Sequence, residues 1–156
     1  MTRVLIALDP TDAAQGAAQA AAALFGPDAE YLAITVEADP QFNGFVWGSV
    51  YGYPYPPVMP ANPELVDPSA ALETAEDDAA RLASEAGVSD VTAVGAVGDP
   101  VEAICRAAVR HHADVIVAGW HERTWLHRMF DRSVSEELIK QAAVPVLIVP
   151  LPHHHD

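Results

Sequence analysis

The residues best suited by type and spacing to binding chemistry lie between Gly119 and Glu136. Val115-Ile116-Val117-Ala118 is a short apolar run closed by Gly119, the pattern of a buried strand ending at a turn where a positive φ is tolerated. A polar and aromatic loop follows. It ends at Ser133-Val134-Ser135-Glu136, where Ser133 as N-cap and Glu136 three residues on form a capping-box signature for a helix carrying Leu138, Ile139 and Ala142. The N–H groups of Ser133, Val134 and Ser135 at such a helix start, together with the helix dipole, suit an anion. The loop itself holds Arg123, Arg128 and Arg132 against Glu122 and Asp131, with His121 and His127 able to titrate near neutrality. It is therefore locally positive. A guanidinium fork from Arg132 would bind phosphate well, the alternative being that these arginines pair with the chain's own carboxylates. Trp120 and Trp125 read as packing residues, with base stacking as the alternative.

Other chemical candidates are weaker. Cys105 shares a helical face with Val101, Ile104 and Ala108, which favours a small buried hydrophobe over a reactive thiol; a single cysteine also excludes an internal disulfide and any cysteine-based zinc site. His111-His112 closes a helix, where the dipole suits it. His153-His154-His155-Asp156 reads as a solvated tail, because a terminal tract lacks the second shell that organises metal ligands. No serine, histidine and carboxylate arrangement emerges, and no catalytic set is expected.

The elements that must position the loop are legible in order. Val4 to Leu8 is an unbroken apolar run, as in a central parallel strand covered on both faces; Asp9-Pro10-Thr11-Asp12 breaks it. Ala13 to Leu24 is alanine-rich and helical, and Gly26-Pro27 stops it. Tyr31 to Val36 is the second strand. From 37 to 68 the pattern dissolves into prolines and glycines interleaved with Phe42, Phe45, Trp47, Tyr51, Tyr53 and Tyr55. A connection this long is uncommon in a compact domain. It reads as a loop folded over its own side chains, with a ligand lid or partner-binding surface as the alternative. Asp67-Pro68 caps the next helix, with Leu72, Ala75, Ala79, Leu82, Ala83 and Ala86 on its inner face and a solvated acidic face opposite. Gly87 ends it. Val91 to Val94 is the third strand, and Gly98-Asp99-Pro100-Val101-Glu102 opens a helix to about His111 with a second capping box. Ala113 to Ala118 and Pro145 to Val149 supply the last two strands.

Strands alternating with helices predict an α/β class: a five-stranded parallel, doubly wound, Rossmann-like sheet with helices on both faces, forming a single domain over 1–150 and a short tail at 151–156. Pro145 places the last strand at an edge. An apolar edge is a liability unless covered, so a homodimer through Val146, Leu147, Ile148 and Val149 is expected.

Composition limits the partners. Over 156 residues the formal net charge is −14, which argues against non-specific binding to nucleic acid or anionic lipid. No apolar run reaches the ~20 residues needed to span a bilayer, and the start of the chain lacks the pattern of a signal peptide, so a cytoplasmic location is expected.

With these residues in hand the chain resembles the universal stress proteins. The match runs through Val4-Leu5-Ile6-Ala7-Leu8-Asp9, Val36, Gly98-Asp99-Pro100, Gly119 through Ser135, and Pro145-Val146-Leu147-Ile148-Val149-Pro150. The resemblance implies an adenine-nucleotide-binding (adenine nucleotide α-hydrolase-like) fold, commonly dimeric, with Asp9 near the base and ribose, Val36 beside it, and no settled enzymatic activity. ATP-binding members carry glycine, two residues, glycine, nine residues, glycine, and serine or threonine. Here Gly119 and Ser133 match, whereas Glu122 and Arg132 stand at the second and third glycines. Side chains there restrict the close backbone approach that cradles phosphates, and Glu122 adds a like charge. The expectation is a non-catalytic stress-response protein with a degenerate nucleotide site, acting as a dimer with protein partners. The alternative is a sensor that still binds ATP, another adenine nucleotide or a phosphate-bearing ligand among Asp9, Val36, Gly119, His121, Arg132, Ser133, Val134 and Ser135. A slow hydrolase with a metal on Asp9 or Asp12 is a third reading.

Overall fold

The computed structural model describes residues 1–37, 67–120 and 132–150, the side chains of Arg132 and Ser133 excepted. Within them the strands are β1 (Arg3–Ala7), β2 (Glu30–Glu37), β3 (Val91–Val97), β4 (Val115–Trp120) and β5 (Val146–Pro150). The helices are α1 (Asp12–Phe25), α2 (Pro68–Glu85), α3 (Pro100–Arg110) and α4 (Arg132–Gln141). The strands form one parallel sheet in the order β3-β2-β1-β4-β5, so the expected α/β architecture holds and β5 lies at an edge.

Why the sheet is covered on both faces follows from the period of two along β1. Val4, Ile6 and Leu8 enter one apolar cluster with the small faces of α1 and α2; Leu5 and Ala7 enter a second with α3 and Leu138 of α4. On α1 the buried residues are all alanines, Ala13, Ala14, Ala17, Ala18 and Ala21, which lets the helix axis lie close to the sheet. Half-buried Cys105 packs against the second cluster, and burial, reinforced by the Asp99 charge, pushes its thiol above the usual range, in keeping with a small hydrophobe.

Local chemistry sets most helix starts. The Asp67 side chain accepts from Ser69 N–H at 2.9 Å to cap α2, and Asp99 accepts from Glu102 N–H at 2.9 Å to cap α3, each followed by a proline. Only half of the second capping box forms, because the Glu102 carboxylate takes the Arg106 guanidinium one turn on instead. At the opposite end of α3, the Arg3 guanidinium donates to the His111 carbonyl at 2.8 Å and to Glu30 at 2.9 Å, tying the helix C-terminus to the start of β1.

Several expectations need correction. β3 continues through Gly95 to Val97, pairing with Thr35, Val36 and Glu37, rather than stopping at Val94. Gly95 lies inside the strand: a Cβ there would lie 2.7 Å from Glu76 N of α2, so glycine is what admits the helix against the strand. Leu72 is 45% exposed, outside the inner face assigned to it, and Ile139 of α4 is 60% exposed. Helix α4 begins at Arg132, which puts Ser133 inside its first turn rather than at the cap. The aromatic segment and the terminal histidine tract lie outside the described residues.

Candidate functional site

The carboxyl ends of the three central strands bring together Asp9, Val36 and Gly119. Parallel pairing aligns Ala7 with Ile34 and Ile6 with Val117, so Asp9 follows β1 at the level of Val36 in β2, and Gly119 in β4 stands one residue lower, beside Leu8. The Leu8 N–H extends the ladder to Ile34 O at 2.9 Å, and the Thr35 hydroxyl donates to Leu8 O at 3.3 Å, fixing the chain where it leaves the sheet. Such an edge, where the strand order reverses between β1 and β4, is where open α/β sheets bind ligands.

Gly119 is in place for a reason other than the one its position in a turn would suggest. It lies within β4, and it is not among the glycines of positive φ, which among the described residues are Gly26, Gly87 and Gly98. A Cβ on Gly119 would collide with the Ala13 carbonyl, 2.5 Å from its carbon, and would sit 2.9 Å from Ala14 N. The glycine therefore lets the first turn of α1 press against the end of β4. This places the start of α1 beside the candidate site.

Asp9 is only 5% exposed, and its Oδ1 accepts from the Thr11 N–H at 3.1 Å and from the Thr11 hydroxyl. Thr11 in turn caps α1, its Oγ1 accepting from Ala14 N–H at 3.2 Å. Both residues line a cavity of about 200 Å³ between α1 and α2, walled also by Leu8, Asp12, Gln15 and Arg81. The Arg81 guanidinium there is held by Asp78 and Glu85, which raise its pKa further. A buried carboxylate at a cavity wall is an acceptor for hydroxyl or amino groups of a ligand and repels a phosphate. Among the described residues no group of three or more His, Cys, Asp or Glu side chains could hold a metal ion.

The phosphate side of the expected site is described in part. Ser135, in the first turn of α4, is 3% exposed, and its Oγ is buried with no hydrogen-bond partner among the described residues. Val134 beside it is half-buried and packs against the second core cluster. The backbone of Arg132 and Ser133 belongs to this turn, whereas their side chains, His121, Glu122, and Arg123 and Arg128 lie outside the described residues. Thr11, Gln15 and Arg81 were not anticipated as site residues. A signal existed for Thr11, a hydroxyl side chain just ahead of an alanine-rich run, but the bond to Asp9 is visible only once the turn is built.

The model of the universal stress protein family matches residues 1–150. The chain belongs to that family. Among curated relatives, the stress response protein NhaX of Bacillus subtilis (strain 168) is 44% identical over 52 residues, a stretch that is 33% of this chain and 31% of NhaX. The chain therefore matches about a third of that relative's length. Among solved structures, the hypothetical protein MJ0577 superposes with a TM-score of 0.67 at 24% identity, covering 97% of each chain. A universal stress protein in complex with cAMP gives 0.58 at 20% identity over 95% of this chain and 96% of its own. A universal stress protein family protein of Arabidopsis thaliana with AMP bound gives 0.55 at 17% identity over 98% and 94%. These likenesses establish the Rossmann-like fold of the family for this universal stress protein.

Proposed function

We propose that this universal stress protein is a non-catalytic, dimeric sensor of an adenine nucleoside monophosphate. The observation that carries the reading is the meeting of a buried carboxylate, Asp9, with Val36 and Gly119 at adjoining strand ends, together with the buried Ser135 hydroxyl in the first turn of α4, which has no hydrogen-bond partner among the described residues. A carboxylate selects the hydroxyl- and amino-bearing nucleoside, and a helix start selects the phosphate. The relatives solved with cAMP and with AMP support a ligand of this size. Two substitutions disfavour a triphosphate: Glu122 sets a like charge, and Arg132 a bulky side chain, where the family's ATP-binding members use glycine.

Calorimetric titration with AMP, cyclic AMP and ATP, with and without magnesium, tests this. The expectation is AMP or cyclic AMP binding tighter than ~100 μM, with ATP about tenfold weaker, and loss of binding in Arg132→Ala and Ser133→Ala. No binding by either monophosphate overturns the reading in favour of the second one, a protein acting through partners with a degenerate site, which the lost glycines favour. For the dimer, the half-buried residues Val146 to Val149 on the β5 edge are the surface to be covered by a second copy, with exposed Ile139 on the adjacent α4. Sedimentation showing only monomer at tens of micromolar would exclude it.

A further inference from the structure

We propose that Thr11 is a positioning residue that holds the Asp9 carboxylate in the orientation that meets the nucleoside half of the ligand, and so couples that carboxylate to the start of α1. The inference rests on the reading of Asp9 as a ligand-binding group. Its basis is a directed chain of hydrogen bonds. The Ala14 N–H donates to Thr11 Oγ1 at 3.2 Å, the Thr11 hydroxyl donates to Asp9 Oδ1, and the Thr11 N–H donates to the same oxygen at 3.1 Å. A hydroxyl has one hydrogen and two acceptor sites, so one side chain both caps the helix and clamps the carboxylate.

The residue type is what makes this possible. Asparagine and aspartate cap helices as well as threonine or better, yet an aspartate has no proton to give to Asp9 and would repel it. Both partners are placed by packing that leaves little slack. Asp9 is buried directly after the central strand, and the turn of α1 that Thr11 caps is pressed onto Gly119 of β4. Asp9 and Thr11 line the same cavity, so the clamp sits at the wall that a ligand would meet. Ligand contact at Asp9 and the register of α1 against the sheet are therefore mechanically linked through Thr11.

A double-mutant cycle separates this role from helix capping. Wild type, Thr11→Val, Thr11→Ser, Asp9→Ala and the Thr11→Val/Asp9→Ala pair are compared for AMP affinity by calorimetry and for thermal unfolding. Thr11→Val is expected to weaken AMP binding about tenfold, the scale of one charge-assisted hydrogen bond, and Thr11→Ser to restore it to within about twofold. In the Asp9→Ala background, where no acceptor is left for the hydroxyl, Thr11→Val should cost less than about twofold in affinity while still lowering the unfolding temperature through loss of the α1 cap. Equal affinity losses in both backgrounds, or a Thr11→Ser variant as weak as Thr11→Val, overturn the positioning role. Should wild type itself fail to bind AMP, the proposed function falls, and the ligand-free crystal structure of Thr11→Val decides the inference separately. An Asp9 carboxylate turned away from residue 11 or split between two conformers supports it; an unchanged one refutes it.

Discussion

Replacing Gly119 by alanine probes the packing that builds the site. The added Cβ would sit 2.5 Å from the Ala13 carbonyl carbon and 2.9 Å from Ala14 N. Ordinary contact requires about 3.4 Å, so the start of α1 must retreat by about 1 Å or β4 must bend. Neither obstacle is a side chain that could change rotamer. Both are backbone, and Ala13, Ala14 and Ala17 behind them are at most 2% exposed, so a retreat opens the first core cluster along its length. Overpacking of this kind costs about 1–3 kcal/mol, and a rigid obstacle on both sides places Gly119→Ala near 3 kcal/mol. For a chain of this size that is a fall of about 6–12 °C in Tm. Gly16→Ala is the matched control: nothing lies within 4 Å of its Cβ, and it sits inside α1, so it should gain about 0.5–1 kcal/mol from helix propensity. Urea denaturation of the two variants, with m-values to verify an unchanged unfolded state, measures both. A Gly119→Ala variant within about 0.5 kcal/mol of wild type would refute the close-packing role of this glycine.

Three further outcomes follow from the described contacts. Asp99→Ala removes the acceptor for the Glu102 N–H and should destabilise by about 1 kcal/mol, whereas Asp99→Ser should recover most of the loss in the same denaturation assay. Burial pushes the Cys105 thiol up, so at mildly alkaline pH a disulfide reagent should modify it far more slowly in the folded protein than in urea. Burial also pushes the Tyr31 phenol up, and its hydroxyl donates to Gly26 O at 2.6 Å; the neutral form is favoured in the folded state, so this stabilisation is complete below about pH 10 and declines above it. Tm should accordingly fall less steeply with alkaline pH in Tyr31→Phe than in wild type.

What the sequence disclosed followed the range of the interactions involved. Apolar runs at Val4, Val115 and Val146, and the Asp-Pro pairs at 67 and 99, declare strands and helix starts because burial of a strand and capping of a helix are settled within a few residues. The edge position of β5, from Pro145, and the family resemblance were legible on the same basis, whereas the order of the other strands was not. Glycines were the characteristic source of error. Gly119 looks like the close of a strand and Gly95 lies just past the expected end of another, yet each sits within a strand where a helix crosses closely, a property of tertiary packing that no local pattern carries. Likewise Asp9 was recognisable by its place after β1, but its clamp by Thr11 depends on a turn geometry that the residue types alone do not specify.

The most direct test of the ligand site is a two-dimensional amide NMR titration of the intact protein with AMP to about 1 mM. The expected result is saturable shifts concentrated at Asp9, Thr11, Val36, Gly119 and Ser135, with the distant Arg3, His111 and Asp114 unmoved. Absence of shifts, or shifts centred away from the carboxyl edge of the sheet, would contradict a nucleoside monophosphate site at this position.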